Sequence, residues 1–257
     1  MLLLISNKVN AGFEVSHFEK LASSEEKHFW FRIRNKLILW VLGKYFKNTN
    51  KFLEIGCGTG FVLSGIEKEF PSLDLYGSEI HQEGLRFASK RVSRAKLFQI
   101  DATSIPFKEE FDVIGSFDVL EHIKQDEKVL CEINKALKSG GGIILTVPQH
   151  PFLWSRYDEE GHHVRRYTAL ELKTKVEYAG FKVIYMTSFV FLLLPLVIVS
   201  RLMSRFKKEQ YDVLSELKIG KSMNFFFEKI LFIEYCMIKL GFKSPIGSSL
   251  LLIAKKI

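Results

Sequence analysis

The chain has 257 residues, of which 47% are hydrophobic and 26% are charged. This length suits one α/β domain with an elaboration, or two small domains, and the apolar content excludes a disordered chain. The net charge of +8 has two interpretations, a solvated lysine-rich surface or attraction to an anionic membrane or substrate. No basic helix or aromatic stacking motif accompanies the charge, so no nucleic-acid partner is expected.

The cysteines and the N-terminal residues indicate the cellular compartment in which the protein is expected. Cys57, Cys131 and Cys236 are scattered without paired spacing, which is typical of a reducing compartment and not of a zinc site. The apolar run of residues 1–5 is too short for a signal peptide and no basic stretch precedes it. We therefore expect a cytoplasmic protein, with the inner face of the membrane as a further location.

The first predicted element is a helix over residues 23–46, because Trp30, Ile33 and Leu37 recur at helical spacing and Ser23 or Ser24 can cap its start. Strands and helices then alternate. Strands are predicted over 52–55, 73–78, 96–100, 111–117 and 143–147, and helices over 61–70, 81–92 and 126–137. Apolar strands alternating with helices predict a parallel sheet covered on both faces.

After Pro148 the pattern changes. A polar, aromatic loop runs to Tyr167 and is followed by a predicted helix over 169–179 and strands over 181–187 and 250–254. This predicts four parts: an N-terminal helical cap (1–50), a central domain (51–188), a helical hydrophobic insertion (189–247) and a final strand (248–257).

Residues suited to holding a nucleoside follow the predicted strands. Open parallel sheets bind ligands at the carboxyl ends of their strands. The first strand ends in the turn 54–60, E-I-G-C-G-T-G, whose glycines let backbone amides approach a ligand. The second ends in Glu79, whose carboxylate can accept both hydroxyl protons of a ribose, and the third at Asp101, which can accept from an adenine amine. Each signal alone also suits a tight turn or a helix cap; their combination favours a nucleoside.

A nicotinamide-dependent oxidoreductase is the nearest alternative, since it also uses a glycine turn and a later acid. Its fingerprint requires a glycine at position 61. Phe61 occupies that position and the third glycine comes early, at Gly60. The spacing therefore opposes a dehydrogenase.

The same residues resemble the class I S-adenosylmethionine-dependent methyltransferases. The E-x-G-x-G-x-G turn, the acid Glu79 and the pair Asp101-Ala102 are similar to motifs of that family, as is the turn 137–141, with serine replacing the usual proline. The resemblance implies an α/β fold, a Rossmann-like three-layer sandwich. Its mostly parallel seven-stranded sheet would have a reversed last strand, and a helical insertion would lie between the last two strands.

The resemblance also implies S-adenosyl-L-methionine as cofactor. The glycine turn would hold the methionine part, Glu79 the ribose, and Asp101 with Ala102 the adenine. The expected cofactor-binding residues are Glu54, Gly56, Cys57, Gly58, Gly60, Glu79, Ile80, Asp101, Ala102 and Asp118. The aromatic stretch 28–31 with Arg34 resembles a leading helix that covers the cofactor in a bacterial subgroup.

Three histidines are candidate catalytic residues, because a histidine near neutral pH can deprotonate an acceptor. His122 follows the fourth strand of the alternating unit, where it could equally begin a helix. His150 follows the fifth strand, and His162 lies in a loop (158–167) that is either anion-binding or solvated. No metal is expected, since no third ligand is spaced to join His162 and His163.

The insertion has three interpretations: a membrane-contacting segment, a lid over an apolar acceptor, or a dimer interface. Its first apolar run, 189–199, is short of the roughly 20 residues that span a bilayer, and Pro195 is expected to kink it. A basic cluster follows, and an aromatic helix runs through 225–235, an order expected at a membrane interface. The basic cluster comprises Arg201, Arg205, Lys207 and Lys208.

These observations predict an enzyme that transfers a methyl group from S-adenosylmethionine, by in-line displacement, to a small-molecule, lipid or glycolipid acceptor. Two alternatives stay open: a non-catalytic S-adenosylmethionine-binding scaffold at the membrane, and a nicotinamide-dependent oxidoreductase.

Overall fold

The computed structural model describes residues 3–4, 17–206 and 218–257. A mixed sheet forms its centre. The described strands are β1 (Leu3–Leu4), β2 (Lys51–Ile55), β3 (Asp74–Glu79), β4 (Lys96–Gln99), β5 (Phe111–Phe117), β6 (Leu137–Pro148), β7 (Phe181–Phe189) and β8 (Ser249–Lys256). The described helices are α1 (His17–Ser24), α2 (Phe29–Tyr45), α3 (Phe61–Glu69), α4 (Gln82–Arg91), α5 (Asp126–Ala136), α6 (Arg156–Glu160), α7 (Ala169–Tyr178), α8 (Leu194–Phe206) and α9 (Lys221–Lys239). Short 3₁₀ turns lie at Leu120–His122 and Pro151–Leu153.

The strand order is β1-β4-β3-β2-β5-β6-β8-β7. All neighbouring strands pair in parallel except β8, which runs antiparallel to both β6 and β7. The predicted Rossmann-like sheet with a reversed last strand is therefore confirmed. The two-residue β1, at the edge beside β4, is an addition to the seven expected strands.

Helices cover both faces of the sheet, each over its own hydrophobic core. One core joins the sheet to α2, α3, α4 and α9, and the other joins it to α5 and α7. The two-sided covering explains why the strands read as nearly continuous apolar runs. It also puts the carboxyl ends of β2 to β6 at one edge, between the two helical layers.

The N-terminal region differs from the single helix predicted over 23–46. It forms two helices, α1 and α2, and His28 is the N-cap of the second: its Nδ1 accepts from the Trp30 amide at 3.3 Å. The prediction that Ser23 or Ser24 caps this helix was wrong, because both hydroxyls donate to the Lys20 carbonyl within α1. A histidine nitrogen thus caps the helix, where a serine oxygen was expected to do so.

The described residues between β7 and β8 include the helices α8 and α9. Pro195 stands in the first turn of α8, where a proline needs no amide hydrogen, so the predicted kink was wrong. The buried carboxylate of Glu234 on α9 accepts from the backbone amides of Val190, Phe191 and Leu192, which ties the segment before α8 to α9. Of the described helices, none is long and apolar enough to cross a bilayer.

Part of the predicted basic cluster lies outside this description. Lys207 and Lys208 are outside the described residues, and the side chain of Arg205 is not among those described. Arg201 lies over the ring of Tyr157, with its guanidinium carbon 4.3 Å from the ring centroid. Its charge therefore packs against α6.

Candidate active site

The glycine turn between β2 and α3 has three left-handed residues. Gly56, Gly58 and Gly60 have φ angles of 69°, 51° and 75°, which other residues adopt only at a cost. A Cβ at Gly56 would meet Val119 at 2.5 Å, and one at Gly60 would meet Ala88 at 3.0 Å. A Cβ at Gly58 would meet nothing within 4 Å. Two of the glycines are thus required by packing, and the third borders open space.

Glu79, at the end of β3, holds this turn in place. Its carboxylate accepts from the amides of Gly58 at 3.0 Å, Ile80 at 2.8 Å and His81 at 3.0 Å. Burial raises the pKa of this carboxyl above its ordinary value, against the opposing effect of these amides and of the His81 charge. A carboxylate has about four lone-pair sites, so capacity for a ligand hydroxyl is left after three amides.

Asp101, after β4, is oriented by its own loop. Its Oδ1 accepts from the amide and the hydroxyl of Thr103, both at 2.8 Å. Those bonds leave Oδ2 for an outside donor. Ala102 is buried beside it.

Asp118, after β5, is paired with an arginine from the N-terminal region. Arg34 on α2 donates to Asp118 Oδ2, which also accepts from the Thr146 hydroxyl at 3.1 Å. The Arg34 guanidinium lies 4.5 Å from the centroid of the Trp30 ring. Burial raises the pKa of the neighbouring Glu54 well above its usual range, with the Arg34 charge opposing. The buried Oε2 of Glu54 has no hydrogen-bond partner among the described residues.

A buried ion pair fastens the N-terminal helices over the glycine turn. Glu25, between α1 and α2, accepts from Arg91 of α4 and from the Thr59 hydroxyl. Arg91 also donates to Thr59 Oγ1 at 2.7 Å and to the Ala22 carbonyl at 2.9 Å. We call Glu25, Thr59 and Arg91 the cap clasp. It could not be predicted from the sequence, because Glu25 and Arg91 belong to distant segments that no motif connects.

The candidate catalytic histidines have different surroundings. Burial, and then the charge of His163, lower the pKa of His122 to about 3. His150 has a left-handed backbone (φ 64°) and a buried Nε2 without a hydrogen-bond partner among the described residues. Burial and the Arg166 charge lower its pKa. His162 is exposed.

The loop before α7 uses its arginines internally, which differs from the anion-binding interpretation. Asp158 is fully buried and accepts from Arg166 Nε at 2.7 Å, and it contacts His163 Nδ1 at 2.9 Å. Arg165 pairs with Asp126 at 2.5 Å. Both guanidinium groups are thus neutralised within the protein.

The adjacent histidines 162 and 163 do not act as a pair. His163 instead meets His122 and Glu121, and the ligand atoms of these three residues lie within 4.8 Å of one another. This grouping differs from the His162–His163 pair, for which the sequence predicts no third ligand. The sequence did not reveal the grouping, because Glu121 and His163 lie on different loops.

Sheet order, reversed last strand and glycine turn define a Rossmann-like methyltransferase fold. A model of the methyltransferase domain family matches residues 23–186, more than half of the chain. The chain belongs to this family.

Relatives with assigned names are distant. The chain is 28% identical over 134 residues to the mitochondrial ubiquinone biosynthesis O-methyltransferase of Candida albicans, covering 49% of this chain and 41% of that protein. It is 32% identical over 108 residues to phosphoethanolamine N-methyltransferase 2 of Caenorhabditis elegans, covering 40% and 24%. The matches to these two proteins span less than half of their length.

A solved structure shows the same fold. Phosphoethanolamine N-methyltransferase 2 of Haemonchus contortus, in complex with S-adenosyl-L-methionine, superposes with a TM-score of 0.58. The match covers 87% of this chain and 52% of that chain at 20% identity.

Proposed function

We propose that this protein transfers a methyl group from S-adenosylmethionine to an apolar acceptor held at a membrane surface. The observation that carries the proposal is the open, left-handed Gly58 beside Glu79 and Asp101, at the ends of three adjacent strands. Family membership supports the transfer chemistry.

The residues at these strand ends fit the proposed cofactor. Open space at Gly58 admits the methionine part against the backbone, and the unpartnered Glu54 Oε2 can accept from its ammonium group. Glu79 can accept from the ribose hydroxyls, and Asp101 Oδ2 from the adenine amine. The other expected residues, Gly56, Cys57, Gly60, Ile80, Ala102 and Asp118, would shape the walls of this site.

Bound S-adenosylmethionine supplies an activated methyl group on a sulfonium centre. The protein's own contribution is mainly positioning, which can lower a barrier by about 7–11 kcal/mol in favourable cases. The cap clasp joins the N-terminal helices to the glycine turn.

An oxygen or nitrogen acceptor has a proton to lose, and we assign its removal to His150. This residue follows β6 at the same edge of the sheet, and its buried Nε2 is free of hydrogen-bond partners among the described residues. Of the other two candidates, His162 is exposed and His122 sits in the cluster with Glu121 and His163.

An exposed apolar face on α8 and α9 favours a membrane-bound acceptor over a water-soluble one. Phe225 and Phe226 on α9 are 62% and 58% exposed, and Met203 on α8 is 61% exposed. Exposed lysines, Lys229 among them, flank this face on α9. Large exposed apolar patches rimmed by charge mark interaction sites, and this combination is typical of helices at a membrane interface.

The experiment is methyl transfer from labelled S-adenosylmethionine to an organic extract and to an aqueous extract of cells. We expect label in the organic phase, lost in Glu79→Gln and retained in Glu83→Gln, a matched change on the surface of α4. Binding of the cofactor without label transfer to either extract would favour the non-catalytic scaffold. Label in the aqueous phase alone would overturn the apolar acceptor.

A further inference from the structure

We propose that Glu121, His122 and His163 form a binding site for Zn²⁺ or a similar divalent transition-metal ion. Their ligand atoms lie within 4.8 Å of one another, at the loop after β5 and the loop before α7. The Val164 amide donates to the Glu121 carbonyl at 2.7 Å and holds the two loops together.

Unsatisfied atoms are the first support for this site. Glu121 is 1% exposed, yet its Oε2 has no hydrogen-bond partner among the described residues, and neither has His122 Nδ1. Buried polar atoms without a partner are rare in native proteins and require an explanation. One cation between them would satisfy both atoms and neutralise the carboxylate.

The outer contact of His163 is the second support. His163 Nδ1 meets the buried Asp158 carboxylate at 2.9 Å, which fixes the proton there and leaves Nε2 for a metal. A ring nitrogen held by a carboxylate while the other nitrogen stays available is the arrangement around metal-ligating histidines.

The donor set identifies the kind of ion. Two imidazoles and one carboxylate suit zinc, and three-ligand zinc sites keep a further position open. Bonds of about 2.0–2.2 Å to the three atoms would draw them closer together than their present spacing of up to 4.8 Å. An ion with an open coordination position would polarise an acceptor oxygen bound there. This catalytic use of the metal rests on the proposed function, whereas metal binding does not.

The test is a Zn²⁺ titration of the metal-depleted protein in competition with a chromophoric chelator. We expect one tight site per chain, weakened about 100-fold or more in His163→Gln and Glu121→Gln. Loss of an outer partner in Asp158→Asn is expected to weaken it about 10–100-fold. His162→Gln, the neighbouring exposed histidine, is the matched control and should change affinity less than twofold.

Binding of S-adenosylhomocysteine by each variant reports that the fold is intact and keeps this test separate from that of methyl transfer. A Co²⁺ visible spectrum present in the wild type and lost in His163→Gln would support the site. Absence of Zn²⁺ binding by the wild type, or equal losses in His162→Gln and His163→Gln, would overturn it.

Discussion

At the scale of single residues, Gly58 is the most informative position, because its φ of 51° and the open space around it point to a ligand. Gly140 has the same two properties, with φ 74° and nothing within 4 Å, but lies in the surface turn of β6. Comparing substitutions at Gly58 and Gly140 therefore distinguishes the effect of backbone strain from the effect of cofactor contact.

We expect Gly58→Ala to weaken S-adenosylmethionine binding at least tenfold, about 1.4 kcal/mol, because its methyl group occupies the ligand's space. Gly140→Ala should cost similar folding stability, about 1 kcal/mol, without weakening binding. Calorimetric titration and chemical denaturation measure the two effects. Equal cofactor affinity in both variants would remove the glycine turn from the binding site.

A second prediction concerns His150. Replacement by Ala is expected to lower turnover about 10²–10⁴-fold, while the affinity for S-adenosylmethionine stays nearly unchanged. Steady-state kinetics with the identified acceptor, together with calorimetry, give both values. Full turnover in the variant would exclude His150 as the base.

The pH dependence of the wild type follows from the same residue. A base acts when deprotonated, so kcat/KM should rise with pH through the pKa of His150. Burial, and then the Arg166 charge, lower that pKa from 6.5; the midpoint should therefore lie below 6.5. An activity loss confined to more alkaline pH, or an unchanged acid limb in His150→Ala, would contradict the assignment.

Sequence alone could identify residues whose chemistry is local. An acid at a strand end and glycines in the following turn are visible because the fold brings successive strand ends to one edge. It could not identify Glu25 or Arg91, whose partners come from other segments of the chain. Such pairs are decided by packing, which no spacing rule records.

At the scale of elements, the alternating strands and helices were predictable because their apolar runs are long and regular. The predicted helix boundaries were wrong where an unexpected side chain caps a helix. His28 is the N-cap of α2, so α2 begins after a break that separates it from α1. The kink predicted at Pro195 was wrong because the effect of a proline depends on its distance from the helix start.

The cap clasp gives a prediction at this scale. Arg91→Met leaves the buried Glu25 carboxylate unpaired, which should destabilise the fold by about 3–5 kcal/mol. Arg86→Met, on the same helix, removes only an exposed pair with Glu83 and should be nearly neutral. Urea denaturation measures both, and equal stability of the two variants would contradict the clasp.

At the scale of the whole molecule, α8 and α9 extend the sheet's first helical layer with an exposed apolar face. Its partner could not be predicted from sequence, because the same apolar helix suits a lid, a dimer interface or a membrane. The exposure of Phe225, Phe226 and Met203 supports the proposed membrane contact.

Membrane contact is tested by sedimentation with anionic vesicles. The protein should sediment with them, more weakly in high salt, because basic residues contribute on the order of 1 kcal/mol each at an anionic leaflet. Phe225→Ser with Phe226→Ser should reduce binding. Leu170→Ser, which removes a leucine that is 73% exposed on α7 over the opposite face of the sheet, should not.

A dimer in solution that ignores vesicles, with the phenylalanine variants becoming monomeric, would contradict the membrane assignment. Methyl transfer is a separate proposal, since the proposed cofactor site is at the strand ends and not on α8 or α9.

The identity of the cofactor is tested by calorimetric titration of the purified protein with S-adenosylmethionine and, separately, with NAD. The strand-end residues require one site per chain for S-adenosylmethionine, weakened by about 1–3 kcal/mol in Glu79→Ala, and no binding of NAD. Binding of NAD, or no binding of S-adenosylmethionine by the folded wild type, would contradict the account.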